Sequence, residues 1–312
     1  MRALVTGGAG FIGSNLVGAL VDAGGDVVVL DDLSTGFAEN IAGAATVVEG
    51  EVSDPDAVAR AVAGCEIVFH LAAHRAVLRS VEQPLETDRA NVGGTLTVLV
   101  AARDAGARRV VYASSSSVYG GAEQLPTPET APLLPRSPYA VSKLAGEHYC
   151  RVFWELFGLE TVALRYFNVY GPRQRPDSRY AAVIPLFVDA LLRGVPPEVH
   201  GDGLQSRDFT FVADAVAANL RAAEAPARRC AGRAYNVAGG AAYSLLDLLA
   251  ILERIIGVGV PPSFAAPRAG DVRHTQADIG AAAAELGHRP SVSFEEGLAR
   301  TVEWFRARGV SR

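Results

Sequence analysis

The stretch Gly7-Gly-Ala-Gly10-Phe-Ile-Gly13 follows the apolar run Ala3–Thr6 and opens a helical pattern over Gly13–Ala23. No other stretch constrains the fold as tightly. Glycine at this spacing, between a strand and a helix, lets the backbone turn sharply and come up against a pyrophosphate. The helix then offers that group its unpaired N–H donors and the positive end of its dipole. A second strand pattern, Val27–Asp31, ends in Asp31-Asp32, with Asp31 18 residues beyond Gly13. A carboxylate there accepts hydrogen bonds from adenosine ribose hydroxyls and repels a 2′-phosphate, so the pattern predicts NAD as cofactor rather than NADP.

The alternation continues. Thr46–Glu49, Ile67–Ala72, Arg109–Ser114 and Thr161–Phe167 read as strands, and Asp56–Ala63, Gly93–Ala105 and Pro138–Phe157 as helices. Continuous apolar strands separated by helices predict an α/β fold with a Rossmann-type, doubly wound parallel sheet. Ser137 suits the N-cap of the helix from Pro138, and proline suits its first turn. After about Gly171 the alternation breaks down into Pro/Gly-rich segments, short strands and two amphipathic helices, Leu245–Ile256 and Phe294–Arg306. The expectation is a dinucleotide-binding domain over 1–170 and a smaller, less regular C-terminal substrate domain over 171–312, with about 208–238 returning to the first.

Composition excludes several classes. The net charge of -5 is spread over both signs, with no basic block to hold nucleic acid. Cys65, Cys150 and Cys230 form no Cys-x-x-Cys pair and no Cys/His cluster, so neither a disulfide frame nor a metal site is expected. The first residues enter a strand pattern at once, unlike a signal peptide, and no apolar run is long enough to span a membrane. These features point to a soluble, cytoplasmic protein without membrane or nucleic-acid partners.

Of the 29 basic residues, only Lys143 is a lysine. It stands four residues after Tyr139 in Ser-Pro-Tyr-Ala-Val-Ser-Lys, so the two side chains share one helix face. A compact ammonium that donates in three directions and biases a neighbour's pKa is not reproduced by a guanidinium. The pair reads as a phenol poised for acid/base work beside its cation. The strand Arg109–Ser114 runs into Ser114-Ser-Ser-Ser-Val-Tyr-Gly120, placing serines at the carboxyl end of a parallel strand, where open α/β sheets bind ligands. Ser115 there is set to relay a substrate hydroxyl proton toward Tyr139.

With these motifs the chain resembles, nearly end to end, the extended short-chain dehydrogenase/reductase family, and within it the nucleotide-sugar 4-epimerases. Further residues carrying the resemblance are His70-Leu-Ala-Ala73, Asn91, Arg165-Tyr-Phe-Asn168-Val-Tyr-Gly-Pro172, Gly201-Asp-Gly-Leu-Gln-Ser-Arg207-Asp-Phe and Arg268-Ala-Gly-Asp271. The resemblance implies that Tyr139 is the base for the sugar 4-hydroxyl, that Lys143 binds the nicotinamide ribose and lowers the tyrosine pKa, and that Ser115 is the catalytic serine. For the cofactor it implies Gly7, Gly10, Phe11, Ile12, Gly13, Asp31, Asp32, Ser34, Glu51, Val52, Leu71, Ala72, Ala73, Asn91, Ser114 and Tyr166, with Tyr139 and Lys143. For a UDP-sugar it implies Arg79, Ser115, Ser116, Ser117, Asn168, Arg175, Val183, His200, Arg207, Arg268, Asp271 and Thr275, among them diphosphate contacts at Asn168, Arg207 and Arg268. The reaction implied is transient oxidation at C4 with NAD regenerated in each turnover.

Related dehydratases carry Asp-Glu directly after the catalytic Thr, and decarboxylases a Glu two residues after the catalytic Ser/Thr. Here those places hold Ser116 and Ser117, which favours epimerisation over decarboxylation of UDP-glucuronate. Arg173-Gln-Arg175 resembles the stretch that lies near the C6 carboxylate in glucuronate 4-epimerases, and a guanidinium reads a carboxylate bidentately. UDP-glucuronate is therefore the first substrate expected, read by Arg175 and then by Arg79. UDP-glucose/UDP-galactose is the alternative, with Asn168 on its side. A non-catalytic NAD-sensing protein is the reading from another class, and retention of Tyr139 and Lys143 argues against it. The helices Gly93–Ala105 and Pro138–Phe157 match those that form a four-helix bundle in the family's homodimers, through Leu96, Leu99, Val100, Val152, Phe153 and Leu156.

Overall fold

Seven parallel strands form one sheet whose topology fixes where a ligand can lie. The computed structural model describes residues 1–309 apart from 42, 44, 178–180 and 268–271. The strands are β1 (Arg2–Thr6), β2 (Asp26–Asp31), β3 (Thr46–Glu49), β4 (Ile67–His70), β5 (Arg109–Ser115), β6 (Glu160–Tyr166) and a seventh, Arg233–Val237. Across the sheet the order is seventh, β6, β5, β4, β1, β2, β3. The chain runs from β1 outward to β3 on one side, then crosses to β4 on the other side of β1. The connections diverge between β1 and β4, which opens the crevice in which such sheets bind ligands.

The inner strands β1, β4, β5 and β6 and most of β2 are buried because both faces are covered, whereas the edge strand β3 is largely exposed. Ala3, Val5, Val27, Val29, Ile67, Phe69, Val111 and Leu164 pack into a layer with the helices Phe11–Asp22 and Val212–Glu224. Their strand neighbours Leu4, Val28, Leu30, Val68, Val110 and Tyr112 pack into the opposite layer with Pro55–Val62, Gly94–Asp104 and Pro138–Phe157. Ser137 caps the last of these helices by accepting from Ala140 N, and Gly158 ends it in the left-handed region.

Beyond β6 a third core gathers Tyr170, Phe187, Phe209, Phe211, Leu248, Leu252, Phe294 and Leu298. It is built on Val183–Leu192, Leu245–Ile256 and Phe294–Ala307. Ser244 and Asp247 close a reciprocal capping box on the second of these. Three short strand pairs complete this lobe: Val169–Tyr170 with Thr210–Phe211, Ser206–Asp208 with Ala242–Ser244, and Glu198–His200 with Ser263–Ala265.

The structure adds elements that the sequence pattern did not disclose: the helices Val183–Leu192 and Val212–Glu224 and the strand Arg233–Val237. It also ends β4 at His70, where the sequence pattern runs on to Ala72, because the chain turns away at Leu71. The three cysteines are buried and free. Among the described residues no helix is long and apolar enough to cross a membrane, and no His/Cys/Asp/Glu cluster is arranged to hold a metal.

Candidate active site

The glycine-rich turn is tight for steric reasons. Gly7 has φ +69°, and a Cβ on it would stand 2.8 Å from Ala72 N. A Cβ on Gly13 would stand 2.1 Å from the Gly7 carbonyl oxygen. Gly10 caps the helix Phe11–Asp22 without a side-chain acceptor, which leaves the first-turn N–H groups open at the crevice. This cradle, which any side chain would fill, fits a dinucleotide pyrophosphate. At the end of β2, Asp31 is buried, and each carboxylate oxygen accepts a backbone N–H, Oδ2 from Ala9 and Oδ1 from Leu33, both at 2.9 Å. Burial raises its pKa and these two hydrogen bonds pull it back. Asp31 thus braces the glycine turn. Asp32 is exposed, with Ser34 Oγ donating to its Oδ1 at 2.7 Å.

Phe11 and Ile12 pack into the core of the second lobe and so tie the two lobes together at the turn. Leu71 N donates to the Thr6 carbonyl and Ala72 N to Thr6 Oγ1, both at 3.2 Å, and Ala73 follows at the same edge of the sheet. Val52 is buried against Gly94, while Glu51 is exposed and paired with Arg89 at 3.2 Å. Tyr166 is buried and accepts a hydrogen bond from Asn219 Nδ2 at 2.7 Å.

Beneath the crevice His70 lies between two hydroxyls. Thr95 Oγ1 donates its only hydrogen to the Asn91 carbonyl at 2.5 Å, so toward His70 it can only accept. His70 Nε2 must then be the N–H that donates to Thr95, at 3.0 Å, and Nδ1 accepts from Thr6 Oγ1 at 2.8 Å. Burial, aided by Lys143, pulls the ring's pKa to about 3 and keeps it neutral. Asn91 is buried with its amide engaged within the protein: Oδ1 accepts from His74 N at 2.7 Å, and Nδ2 donates to the His74 carbonyl at 3.1 Å and Ser142 Oγ at 2.9 Å. Ser142 Oγ in turn donates to the Tyr139 carbonyl at 2.8 Å. The loop after β4 and the Tyr139–Lys143 helix are locked together in this way.

The structure brings Ser115, Tyr139 and Lys143 to one place. The Ser115 hydroxyl lies near enough to the Tyr139 phenol to lower its pKa, and it accepts Ser117 N at 3.2 Å, closing the turn that holds Ser116 and Ser117. Lys143 is buried, and its Nζ donates to the Ala113 carbonyl at 2.7 Å. Without the cofactor, burial raises the Tyr139 pKa, and Ser115 and then Arg75 pull it back. Burial also drops Lys143 to about 8. Arg75, in the loop after β4, keeps an exposed edge yet is hemmed in enough for burial to lower its own pKa.

Behind the serines lies a second polar group. Ser114 Oγ donates to Glu147 Oε1 at 2.5 Å, and Glu147 is one turn beyond Lys143. Arg165 donates to both oxygens of Glu147 and to Tyr119 Oη at 2.8 Å, and Tyr119 donates to Asn236 Oδ1 at 2.7 Å. A small cavity of about 200 Å³ borders this pair, with Arg151 and Arg233 at its rim.

The second lobe offers a cleft of about 450 Å³ lined by His200, Gly201, Asp202, Gln205, Ala265, Pro267, Val272 and Arg273. His200 Nε2 lies 2.9 Å from Glu198 Oε1 and Nδ1 lies 3.1 Å from the Ala266 carbonyl. Arg207 Nη1 donates to the Ser206 and Arg273 carbonyls at 2.9 and 3.2 Å. Asn168, at φ +37°, donates to the Asp208 carbonyl at 2.9 Å and faces Thr275 Oγ1 at 3.5 Å. Val183 begins its helix half-buried. Arg268 and Asp271 lie outside the described residues.

The two arginines expected to read a carboxylate already have partners. Arg175 forms a two-point ion pair with Asp177 and lies 4.4 Å from the centre of the Phe37 ring. Arg79 donates to Gln83 at 3.2 Å and stands 4.0 Å from Glu86.

Residues 3–238 match the family model described as the NAD dependent epimerase/dehydratase family. A UDP-glucose 4-epimerase of Mycolicibacterium smegmatis is 43% identical, over 98% of this chain and 99% of its own. The crystal structure of a UDP-glucose 4-epimerase from Thermotoga maritima with UDP-glucose superposes with a TM-score of 0.95 at 38% identity, covering 99% of both chains. MoeE5 in complex with UDP-glucuronic acid and NAD gives 0.90 at 38% identity, over 99% of this chain and 100% of that one.

Proposed function

This chain belongs to the NAD dependent epimerase/dehydratase family, and on that premise we propose that it interconverts UDP-glucose and UDP-galactose by transient oxidation at C4. It is an NAD-dependent epimerase that acts on a UDP-sugar. The observation that carries the choice of a neutral hexose is the engagement of Arg175 with Asp177 and of Arg79 with Glu86. A guanidinium already paired with a carboxylate of its own chain has to give up that pair to read a C6 carboxylate. The name of the relative from M. smegmatis points the same way.

Bound NAD supplies the reversible two-electron oxidation at C4. The remaining work falls to side chains. The cradle at Gly7, Gly10 and Gly13 takes the pyrophosphate, and Asp31 the adenosine ribose. Tyr139 would take the 4-hydroxyl proton through Ser115 and give it back to the C4 oxygen once the 4-keto sugar has turned its opposite face to the cofactor. Lys143 donates to the nicotinamide ribose. With burial holding the phenol above its usual pKa, Arg75 and the charge of the oxidised cofactor are what bring it into the range of a base. The cleft beside His200 takes the uridine, and Asn168 and Arg207 the diphosphate.

One observation keeps UDP-glucuronate as a second reading. Arg75 acts electrostatically on Tyr139 and Arg175, and among the described residues no carboxylate pairs with it. An assay with both substrates in parallel, read by proton NMR of the anomeric signals, decides. UDP-galactose formed much faster than UDP-galacturonate supports the proposal, and the reverse order rejects it in favour of an arginine-read uronate. We also propose a homodimer through the outer face of Pro138–Phe157. Leu99 and Phe153 turn inward, whereas Val152 and Leu156 are 39% and 72% exposed. Sedimentation at the mass of a single chain would remove the dimer.

A further inference from the structure

Lys143 is the only lysine of the chain, and it is 4% exposed. An ammonium removed from water is costly unless both its donors and its charge are answered. The Ala113 carbonyl, 2.7 Å from Nζ, answers one donor. The charge has a second neighbour, Tyr112, whose ring centre is 5.0 Å from Nζ, well inside the range in which an aromatic face attracts a cation. The Tyr139 ring stands at 6.0 Å, the edge of that range.

Tyr112 is itself buried, on the face of β5 that packs against Pro138–Phe157. Its hydroxyl lies 3.4 Å from the Lys143 carbonyl oxygen. Gly146 makes this approach possible, since a Cβ there would stand 2.2 Å from the Tyr112 hydroxyl oxygen. The neutral His70 ring packs beside Tyr112 with centroids 5.7 Å apart, so it brings no rival charge. Glu147, one turn beyond Lys143, holds Arg165, and with Cys150 it adds a charge influence that only partly offsets the burial of the ammonium.

We propose that Tyr112 is a positioning residue for Lys143: its ring face supports the ammonium where water is excluded, and its hydroxyl end, admitted by Gly146, sets the spacing between helix and strand. Two Nζ–H donors of Lys143 are thereby left for the nicotinamide ribose. The inference rests on the role of Lys143 proposed above. An aromatic face favours the charged form, so it opposes the burial that draws Lys143 down to about 8. Removing the ring lowers that pKa further, and the alkaline limb of turnover moves with it.

The single lysine makes a direct test practical. Protein grown with ε-13C-lysine gives one side-chain signal, whose titration reports Lys143 alone, with and without NAD. Tyr112→Leu is expected to lower that pKa by about one unit. It should also shift the alkaline limb of kcat by the same amount while leaving KM for the UDP-sugar nearly unchanged. Tyr112→Phe, which keeps the ring, should retain the wild-type titration. Gly146→Ala is favoured by helix propensity, so a lower Lys143 pKa in that variant would come from displaced Tyr112. A folded Tyr112→Leu protein with the wild-type titration overturns the proposal. Should that variant not fold, ring-fluorinated phenylalanines at 112 keep the shape and weaken the face. A stepwise fall in pKa supports the proposal and a flat series overturns it. Lys143→Met separates the two levels: full turnover in that variant removes the catalytic reading of Lys143, whereas its inactivity beside an unchanged Tyr112→Leu overturns this inference alone.

Discussion

Arg165 and Glu147 meet as a buried two-point ion pair directly behind the strand end that carries Ser115, with Nε–Oε1 at 3.0 Å and Nη2–Oε2 at 2.7 Å. Ser114 and Tyr119 complete the group from either side of the serine turn. Removing one charge strands the other away from water, so Glu147→Gln should cost about 3–5 kcal/mol of stability, read from urea unfolding. The double change Glu147→Leu with Arg165→Met should recover a good part of that, since well-packed apolar residues often replace such a pair without loss. A Glu147→Gln protein as stable as wild type would show that the pair does not hold this end of the sheet.

Tyr139→Phe tests the acid/base reading. The ring and its packing remain, and only the phenolic oxygen that contacts Ser115 is lost. Turnover should fall by about 10²- to 10⁴-fold, while NAD still copurifies at the wild-type ratio. Retained turnover would mean that another group moves the proton.

His70 makes stability sensitive to acid. Its pKa in the folded chain is about 3, below the ordinary 6.5, so the folded state resists protonation. The contribution is present above pH 6.5 and lost as pH falls toward 3. Between pH 7.5 and 5 it should amount to a loss of about 2 kcal/mol from this residue alone. His70→Gln should be less stable at pH 7.5 and flatter across the same interval, checked by urea midpoints at each pH. Parallel slopes for the two proteins would place the acid sensitivity elsewhere.

Arg175 and Arg75 should behave differently. Arg175→Ala removes a side chain paired with Asp177, so conversion of UDP-glucose should stay within about threefold of wild type, as for a surface ion pair. Arg75→Met takes away the cation acting on the Tyr139 phenol, and the acid limb of kcat should move to higher pH. A collapse of activity in Arg175→Ala with Arg75→Met unaffected would reverse this assignment.

Much of this was legible in the sequence where one chain segment carries the whole signal. The ranges Pro138–Phe157 and Leu245–Ile256 are read to the residue, because Ser137 with Pro138, Ser244 with Asp247, and the glycines at 158 and 257 mark the ends locally. Strands β1 to β6 are read to within two residues at each end; for all but the exposed edge strand β3, burial on both faces makes them continuous apolar runs. The strand Arg233–Val237 escapes notice because Asn236 sits inside it. That amide is satisfied by Tyr119, Thr127 and Asp278, which are distant along the chain. In the site, the motif residues Tyr139, Lys143 and Ser115 stand out by spacing, whereas Arg75 and Tyr112 act through neighbours on other elements. For Arg175 the sequence does show its partner, Asp177, two residues on, but not that the guanidinium folds back to it over Phe37.

The burial of Lys143 has a consequence outside the reaction. A protease that cleaves only after lysine has a single target bond in this sequence, in the middle of a helix packed on the central sheet. The native chain presents nothing for such an enzyme to cut. Each scission therefore records an opening that exposes the Tyr139–Lys143 helix, and where reclosing outpaces cleavage the digestion rate measures how often that happens. The residue kept as lysine among so many arginines doubles as an internal gauge of how firmly the catalytic helix is held, with ligands such as NAD expected to slow the clock.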